Sequence, residues 1–217
     1  GIRLADCVET ARLCERAGAN ALDISAYGNV AHAIAFTEAP LVHEPGGFIA
    51  FAKAVKEAVS IPVIAVGRIE PEVAERNIAA GHFDFLAMGR KLLADPELPQ
   101  KLATGEEKSI RPCIYCYICV SQIFINKPVC CAVNHSTGRE YEGEILARTG
   151  APKKILVVGG GPGGMECARI LAQRGHHVSL WEKEADLGGT ARIAGLAYAP
   201  NEKLVHYLAN AVRQLPI

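Results

Sequence analysis

Hydrophobic and polar positions alternate along the chain with two periods, one typical of buried strands and one typical of amphipathic helices. Apolar runs bounded by turn residues predict strands at 21–25, 61–66 and 83–88. Helical spacing separates and follows these runs, at 5–17, 48–59, 71–80, 91–94 and 97–103. This alternation predicts an α/β fold with a parallel sheet, and the continuous apolar strands predict that both sheet faces are covered.

The same alternation resumes at residue 153, after a stretch of different character. Within residues 111–134, Pro112 and Pro128 bracket a stretch that we expect to be an irregular loop, and a polar linker follows at 135–152. Beyond the linker the pattern predicts strands at 153–158 and 178–181, and helices at 165–174 and 201–215. We therefore divide the chain into three parts, 1–105, 106–152 and 153–217.

Two successive predicted strands end in the same dipeptide, Gly67-Arg68 and Gly89-Arg90. Glycine lets backbone N–H groups approach an oxyanion, and arginine supplies a forked cation. In a (β/α)8 barrel, phosphate commonly binds after the last two strands, so we favour a phosphate site over two solvated surface arginines. Three strands cannot close a barrel, so residues 1–105 are expected to be the C-terminal part of one.

The most specific chemical signal lies in the irregular segment, where Cys113, Cys116 and Cys119 have Cys-x2-Cys-x2-Cys spacing. Cys130 and Cys131 follow, and the spacing allows either to supply a fourth thiolate. Four thiolates are the usual ligands of an iron–sulfur cluster, and they suit zinc equally well. Clustered cysteines in a chain of this length favour a metal site in a reducing compartment, so a cytoplasmic location is expected.

A glycine-rich turn, Gly159-x-Gly161-x-x-Gly164, lies between a predicted strand and a predicted helix. In that context the first glycine permits the tight turn, the second lets a pyrophosphate approach, and the third allows close helix packing. Glu182 closes the next strand, where a carboxylate accepts ribose hydroxyls, which favours NAD or FAD over NADP. Gly188-Gly189 adds a second point of close approach.

Composition narrows the possible partners. Of the 217 residues, 50% are hydrophobic and 21% are charged, which is typical of globular domains. The 23 basic residues equal the 23 acidic ones, so charge gives no support for a nucleic-acid partner, and no apolar run reaches the roughly 20 residues needed to span a bilayer. The chain begins without Met and ends where a strand is expected, so we expect missing N- and C-terminal parts of its polypeptide.

Taken in order along the chain, these sequence motifs resemble those of one branch of the Old Yellow Enzyme superfamily. That branch contains flavin and an iron–sulfur cluster, and it includes 2,4-dienoyl-CoA reductase and trimethylamine dehydrogenase. Residues 61–69 resemble the seventh barrel strand of that branch, and 83–96 resemble its eighth strand and the following helix. Residues 113–119 with 131–134 resemble its cluster segment. Residues 159–189 resemble the start of its FAD- or ADP-binding domain, so the resemblance covers nearly the whole chain.

The resemblance implies a multi-domain flavoprotein. Residues 1–105 would be the C-terminal part of an FMN-binding barrel, and 153–217 would begin a Rossmann-like FAD- or NAD(P)-binding domain. Cys131 is preferred to Cys130 because its Cys-x-x-Asn ending matches the family. The implied residues are Gly67, Arg68, Gly89 and Arg90 for the FMN phosphate, Cys113, Cys116, Cys119 and Cys131 for a [4Fe–4S] cluster, and Gly159, Gly161, Gly164, Glu182, Gly188 and Gly189 for FAD.

The implied activity passes electrons from NAD(P)H through FAD and the cluster to FMN, and reduces an activated C=C bond such as that of an enoyl or dienoyl thioester. His32 is a candidate proton donor, with a structural or solvent-facing histidine as the alternative. A second interpretation keeps the architecture and oxidises amines, as trimethylamine dehydrogenase does. A third is a non-redox nucleotide-binding module with a structural zinc. We expect residues 1–217 alone to be catalytically inactive.

Overall fold

The computed structural model describes residues 2–26, 44–142 and 147–217. Helices alternate with parallel strands, so the predicted α/β class is confirmed. The chain divides into two compact units, Gly1–Gly89 and Arg90–Ile217, each with its own core. None of the helices in these described ranges is long and apolar enough to cross a membrane.

The first unit is a three-stranded parallel sheet with helices between its strands. The middle strand pairs with both others, with Leu22 opposite Val63 on one side and Ile64 opposite Phe85 on the other. Its elements are α1 (Leu4–Arg16), β1 (Leu22–Ile24), α2 (Ile49–Lys56), β2 (Val63–Ala65), α3 (Pro71–Ala79) and β3 (Phe85–Leu86). Each strand is shorter than its apolar run, but the predicted order is preserved.

The core of the first unit lies between β2 and α2. Val63 and Ala65 on β2 are fully buried, as are Ala52 and Val55 on α2. Small and branched side chains let the helix approach the sheet closely. Asp84 fixes the start of the central strand, because its carboxylate accepts the Val63 N–H at 2.7 Å. The carboxyl ends of β2 and β3 therefore open at the same sheet edge.

The second unit combines short helices, the cysteine segment and a two-stranded parallel sheet. Its strands pair over five residues, from Lys154 opposite His177 to Val158 opposite Trp181. Its elements are α4 (Arg90–Ala94), α5 (Leu98–Thr104), α6 (Ile118–Phe124), β4 (Lys154–Val158), α7 (Pro162–Gln173), β5 (His177–Trp181), α8 (Thr190–Ala197) and α9 (Ala199–Arg213).

Two helices of the second unit differ from the sequence prediction. α6 lies within the segment predicted to be irregular, and α8 lies at 190–197, where no element was predicted. α6 has seven residues, too few to show a clear period, and its Ile123 and Phe124 are exposed. α8 contains Gly195, which lowers helix propensity but lets α9 approach, because a Cβ there would lie 3.1 Å from the Glu202 Cβ.

The core of the second unit is built around α7. Met165 packs with Leu208 and Val212 of α9, whereas Ala168 packs with Val178 of β5. Met165 and Ala168 are both fully buried. α7 is therefore held between β5 and α9, which fixes the glycine-rich turn at its N-terminus.

Candidate cofactor sites

Four cysteines of the second unit line a single cavity. They are Cys113, Cys116, Cys119 and Cys131, whereas Cys130 is not among the described residues that line it. None of the cysteines of the chain is in a disulfide in the described structure. The four thiols are therefore available together as soft ligands around one space.

The cysteine segment turns back on itself through two residues with left-handed backbone conformation. Tyr115 has φ 51° and Tyr117 has φ 62°, a region that bulky residues rarely occupy. Tyr117 is also the residue before α6, so Cys119 lies in the first turn of that helix. The Tyr115 N–H contacts the Cys113 sulfur at 3.4 Å. Strained backbone of this kind is concentrated at functional sites.

Two of the cavity thiols have perturbed acidity. Burial raises the pKa of the Cys113 thiol, and the Tyr115 N–H and the charges of Arg90 and Lys91 oppose this only in part. Burial likewise raises the pKa of Cys119. Both thiols are therefore protonated at neutral pH, and a metal that binds them must displace protons.

Two cations at the start of α4 lie against the tyrosines of this segment. The guanidinium carbon of Arg90 is 4.7 Å from the centre of the Tyr117 ring and 5.3 Å from that of Tyr115. The ammonium nitrogen of Lys91 is 5.2 Å from the Tyr115 ring centre. Arg90 also lines the cavity. Sequence reasoning assigned Arg90 to phosphate and missed both tyrosines, because only folding brings α4 beside them.

A buried carboxylate joins α4 to the cysteine segment. Asp95 is 3% exposed and accepts the Arg111 N–H at 2.8 Å, and its ion pair with Lys101 also measures 2.8 Å. On the other side of the segment, Asn134 and Thr137 both donate hydrogen bonds to the Leu93 carbonyl. α4 is therefore anchored to both ends of the segment that carries the cysteines.

The cysteine segment is also bonded to α9 and its start. The Tyr198 hydroxyl donates to the Ile114 carbonyl at 3.0 Å, and the Arg111 Nε donates to the Tyr207 hydroxyl at 3.3 Å. The guanidinium of Arg111 also lies over the Tyr207 ring. These contacts give the loop around Cys113 two direct supports from α9 and the residue before it.

A polar network of Arg169, Glu166 and His135 lies beside the contacts of Arg111 and Tyr207. Arg169 is 5% exposed and binds both oxygens of Glu166 at 2.7 Å, while the Glu166 carboxylate also contacts the His135 Nδ1 at 3.2 Å. Burial acts to raise the pKa of Glu166, but the hydrogen bonds and charge of Arg169 outweigh it, so the pKa lies below its usual range. The linker after the cysteine segment is thus tied to α7.

The glycine-rich turn connects β4 to α7 with the geometry its spacing predicts. Gly159 has φ 103°, a conformation that favours glycine. A Cβ on Gly164 would overlap the Gly159 carbonyl oxygen, so close packing excludes any side chain there. A Cβ on Gly161 would meet no described atom within 4 Å. The turn is therefore closed toward the protein at Gly164 and open at Gly161, where α7 begins.

Glu182 and the second glycine pair converge on this turn. The Glu182 carboxylate accepts the Glu184 N–H at 3.0 Å and the Gly160 N–H at 2.7 Å, and these bonds lower its pKa. The Gly188 N–H donates to the Gly160 carbonyl at 2.7 Å. A Cβ on Gly189 would lie 3.3 Å from the Gly161 Cα. The structure thus brings together the glycines and the carboxylate that the sequence placed in one site.

The candidate phosphate residues of the first unit lie after β2 and β3. Gly67 has φ 116°, and a Cβ there would lie 2.6 Å from the Phe48 ring. Arg68 has φ 50°, and its carbonyl accepts the Gly46 N–H at 3.1 Å. Gly89 follows β3 at the same sheet edge. His32, the candidate proton donor, lies outside the described residues.

Comparison with known protein families gives two matches in the same chain. Residues 4–109 match the NADH:flavin oxidoreductase / NADH oxidase family. Residues 157–214 match the NAD(P)-binding Rossmann-like domain. Together they confirm that a barrel-type part precedes a Rossmann-like part.

Two curated relatives align over most of this chain. It is 42% identical to a metal reductase of Desulforamulus reducens over 94% of its length, and 42% identical to an NADH oxidase of Thermoanaerobacter brockii over 89%. In each case it covers 30% of the relative. The chain therefore spans about a third of the length of the curated relatives it matches.

Two solved structures share its fold. 2-Naphthoyl-CoA reductase matches 97% of this chain with a TM-score of 0.86 and 29% identity, and the chain covers 32% of it. Histamine dehydrogenase from Rhizobium sp. 4-9 matches 97% with a TM-score of 0.84 and 28% identity, and the chain covers 31% of it. By sequence, residues 4–109 of the chain belong to the NADH:flavin oxidoreductase / NADH oxidase family.

Proposed function

We propose that this chain is part of a flavin-dependent oxidoreductase that passes electrons from NAD(P)H through FAD and a [4Fe–4S] cluster to FMN, and so reduces an activated C=C bond such as that of an enoyl or dienoyl thioester. The observation that carries the proposal is the single cavity lined by Cys113, Cys116, Cys119 and Cys131. A cluster supplies one-electron transfer, which suits a place between a hydride-accepting flavin and a second flavin. The clustered thiols favour a cytoplasmic enzyme.

The cysteine spacing and the shared cavity support a cluster, with a single zinc ion as the alternative. Zinc–sulfur bonds of about 2.3 Å require the ligands of one ion to converge within about 4 Å of one another. In the described ranges, no group of three or more Cys, His, Asp or Glu side chains is arranged to hold a metal ion, so the assignment rests on the cavity and the spacing. A four-iron cluster binds each thiolate through a different iron, so its four ligands line a wider space.

The flavin and nucleotide assignments rest on the family resemblance together with local geometry. We assign the FMN phosphate to Gly67, Arg68, Gly89 and Arg90, because the glycines follow neighbouring parallel strands. We assign the FAD pyrophosphate to the turn at Gly159, Gly161 and Gly164, with Gly188 and Gly189 against it, because α7 directs its N-terminal N–H groups there. Glu182 is the proposed acceptor for the ribose hydroxyls.

Metal analysis of the full-length protein tests whether the four cysteines bind an iron–sulfur cluster. After anaerobic purification, we expect iron and acid-labile sulfide near four each per chain and a broad visible absorption that bleaches with dithionite. One zinc per chain with no sulfide, persisting after cluster reconstitution, would overturn the redox proposal. The chain would then be a nucleotide-binding module with a zinc-stabilised loop.

The substrate class is the second part of the proposal. Similarity to 2-naphthoyl-CoA reductase supports a conjugated thioester, whereas similarity to histamine dehydrogenase supports amine oxidation as the second candidate. Under anaerobic conditions, the full-length protein should oxidise NADH or NADPH in the presence of an enoyl- or dienoyl-CoA. Reduction of an artificial acceptor by histamine or dimethylamine, without any thioester reduction, would favour the amine function instead.

On resemblance alone we assign the proton donor for alkene reduction to His32. The full-length His32→Ala variant should retain flavin reduction by NAD(P)H and lose alkene reduction by about 100-fold or more, the usual range for a general acid. Equal loss of both half-reactions would refute this role.

A further inference from the structure

Arg90 and Lys91 place two positive charges against the cysteine segment. Their side chains lie over the rings of Tyr115 and Tyr117, which alternate in sequence with the cavity cysteines. Tyr115 is only 7% exposed, so its ring is a fixed surface. The distances of 4.7–5.3 Å to the ring centres are within the range of favourable cation–π contacts.

The position of these cations is built into the fold. The left-handed conformations of Tyr115 and Tyr117 orient the two rings, and Asp95 at the end of α4 bonds to the N–H of Arg111, just before the first cysteine. The start of α4 therefore cannot move away from the cysteines without breaking a buried hydrogen bond. Fixed charges in a site of low polarity act strongly on a nearby redox centre.

One of the two cations lines the cavity directly. Arg90 lies in the cavity wall with Tyr115 and Tyr117, and Lys91 contacts the Tyr115 ring. Among the described residues that line the cavity, none is acidic. Negative charge added to this cavity therefore meets the Arg90 cation in its wall, with Lys91 on the Tyr115 ring and no carboxylate among the described lining residues.

We propose that Arg90 and Lys91 set the reduction potential of the cluster held by Cys113, Cys116, Cys119 and Cys131, in addition to any contact of Arg90 with phosphate. The proposal rests on the function proposed above. When reduced FAD gives up one electron to this site, it is oxidised, and the cavity gains one negative charge. Nearby positive charge stabilises that reduced state and raises its potential.

A redox titration of the full-length protein measures the reduction potential of the cluster and so tests the tuning role. The electron paramagnetic resonance signal of the reduced cluster serves as the readout. Lys91→Gln should make reduction about tenfold less favourable, which is a potential about 59 mV lower for one electron. Arg90→Gln should lower the potential further, since Arg90, unlike Lys91, is among the described residues that line the cavity. Lys91→Arg should keep the wild-type potential, because the charge is retained. Lys108→Gln, on an exposed residue of the short 3-10 helix Glu107–Ser109, is the matched control.

The outcomes separate the two proposals. A bound cluster whose potential is the same in wild type, Lys91→Gln and Lys108→Gln would overturn the tuning role and leave the proposed function intact. An equal fall in the reduction potential of Lys91→Gln and Lys91→Arg would also overturn the tuning role, since packing and not charge would then be responsible. Absence of iron and sulfide from the wild-type protein would overturn both.

Discussion

Asp95 and Lys101 form an ion pair of 2.8 Å whose side chains are only 4% and 16% exposed. The same carboxylate accepts the Arg111 N–H at 2.8 Å and the Glu97 N–H at 3.1 Å. One buried carboxylate thus joins α4, α5 and the start of the cysteine segment. Removing it would leave the largely buried Lys101 with only the exposed Glu97 as a partner, and two unsatisfied backbone donors.

Asp95→Ala should therefore lower the free energy of unfolding by about 3–5 kcal/mol, the range for breaking a buried ion pair. Urea unfolding followed by circular dichroism measures the change. Glu97→Ala is the matched control, because Glu97 pairs with the same lysine at 3.3 Å but is 70% exposed. It should cost less than about 1 kcal/mol. Equal costs for the two variants would contradict the role of Asp95.

Gly164→Ala should disrupt the nucleotide turn, because its Cβ would overlap the Gly159 carbonyl. We expect a loss of about 1–3 kcal/mol in stability, typical of overpacking, and loss of FAD from the purified full-length protein. Gly163→Ala is the adjacent control, since its Cβ would meet no described atom within 4 Å. It should retain FAD. The FAD released from each purified protein on denaturation is the measurement. Retention of FAD by both variants would refute the proposed site.

The choice of the fourth thiolate can be settled with two neighbouring substitutions. Cys131 lines the cavity with the other three cysteines, whereas Cys130 does not. Cys131→Ser should therefore lose most of the iron and sulfide, and Cys130→Ser should keep them. Iron and sulfide assays on the two anaerobically purified proteins provide the measurement. The reverse result would assign the ligand to Cys130.

We expect the thermal stability of the protein to fall in acid, because Glu166 becomes protonated there. Its pKa is lowered in the folded protein, so its contribution is present above its ordinary pKa and is lost as the pH falls through the folded value. The difference in thermal midpoint between wild type and Glu166→Gln should thus be large at pH 7 and shrink below about pH 4.5. Glu72→Gln, on an exposed residue of α3, is the control and should show no such trend. A constant difference would exclude this linkage.

Local signals in the sequence were sufficient for the strands and the nucleotide turn. Apolar runs predicted β2 and β4, and the glycine spacing with Glu182 predicted a set of residues that the structure brings together. These predictions succeeded because each depends on periodicity or on spacing within one βαβ unit. The cysteine spacing likewise predicted that several thiols lie close together, whereas the preference for Cys131 over Cys130 came from the family resemblance.

The surroundings of that cavity could not be predicted in the same way. A tyrosine with positive φ has no sequence signal, since the conformation is imposed by the surrounding fold at Tyr115 and Tyr117. The stacking of Arg90 on those rings requires α4 and the cysteine segment to pack, and only their tertiary structure shows it. The contacts of Asp95 with Arg111 and Lys101 are likewise visible only in the tertiary structure, because in the sequence Asp95 is simply the residue before Pro96.

The hydrogen bond from Tyr198 to the Ile114 carbonyl and the contact of Arg111 with Tyr207 have a practical consequence for building chimeras. A recombination point in the linker at 135–152 would separate each loop residue from its partner on the far side. Exchange of the nucleotide-binding part between relatives should therefore carry residues 110–134 along with α9. Hybrids joined upstream of Ile110 would then inherit a matched loop and helix from a single parent.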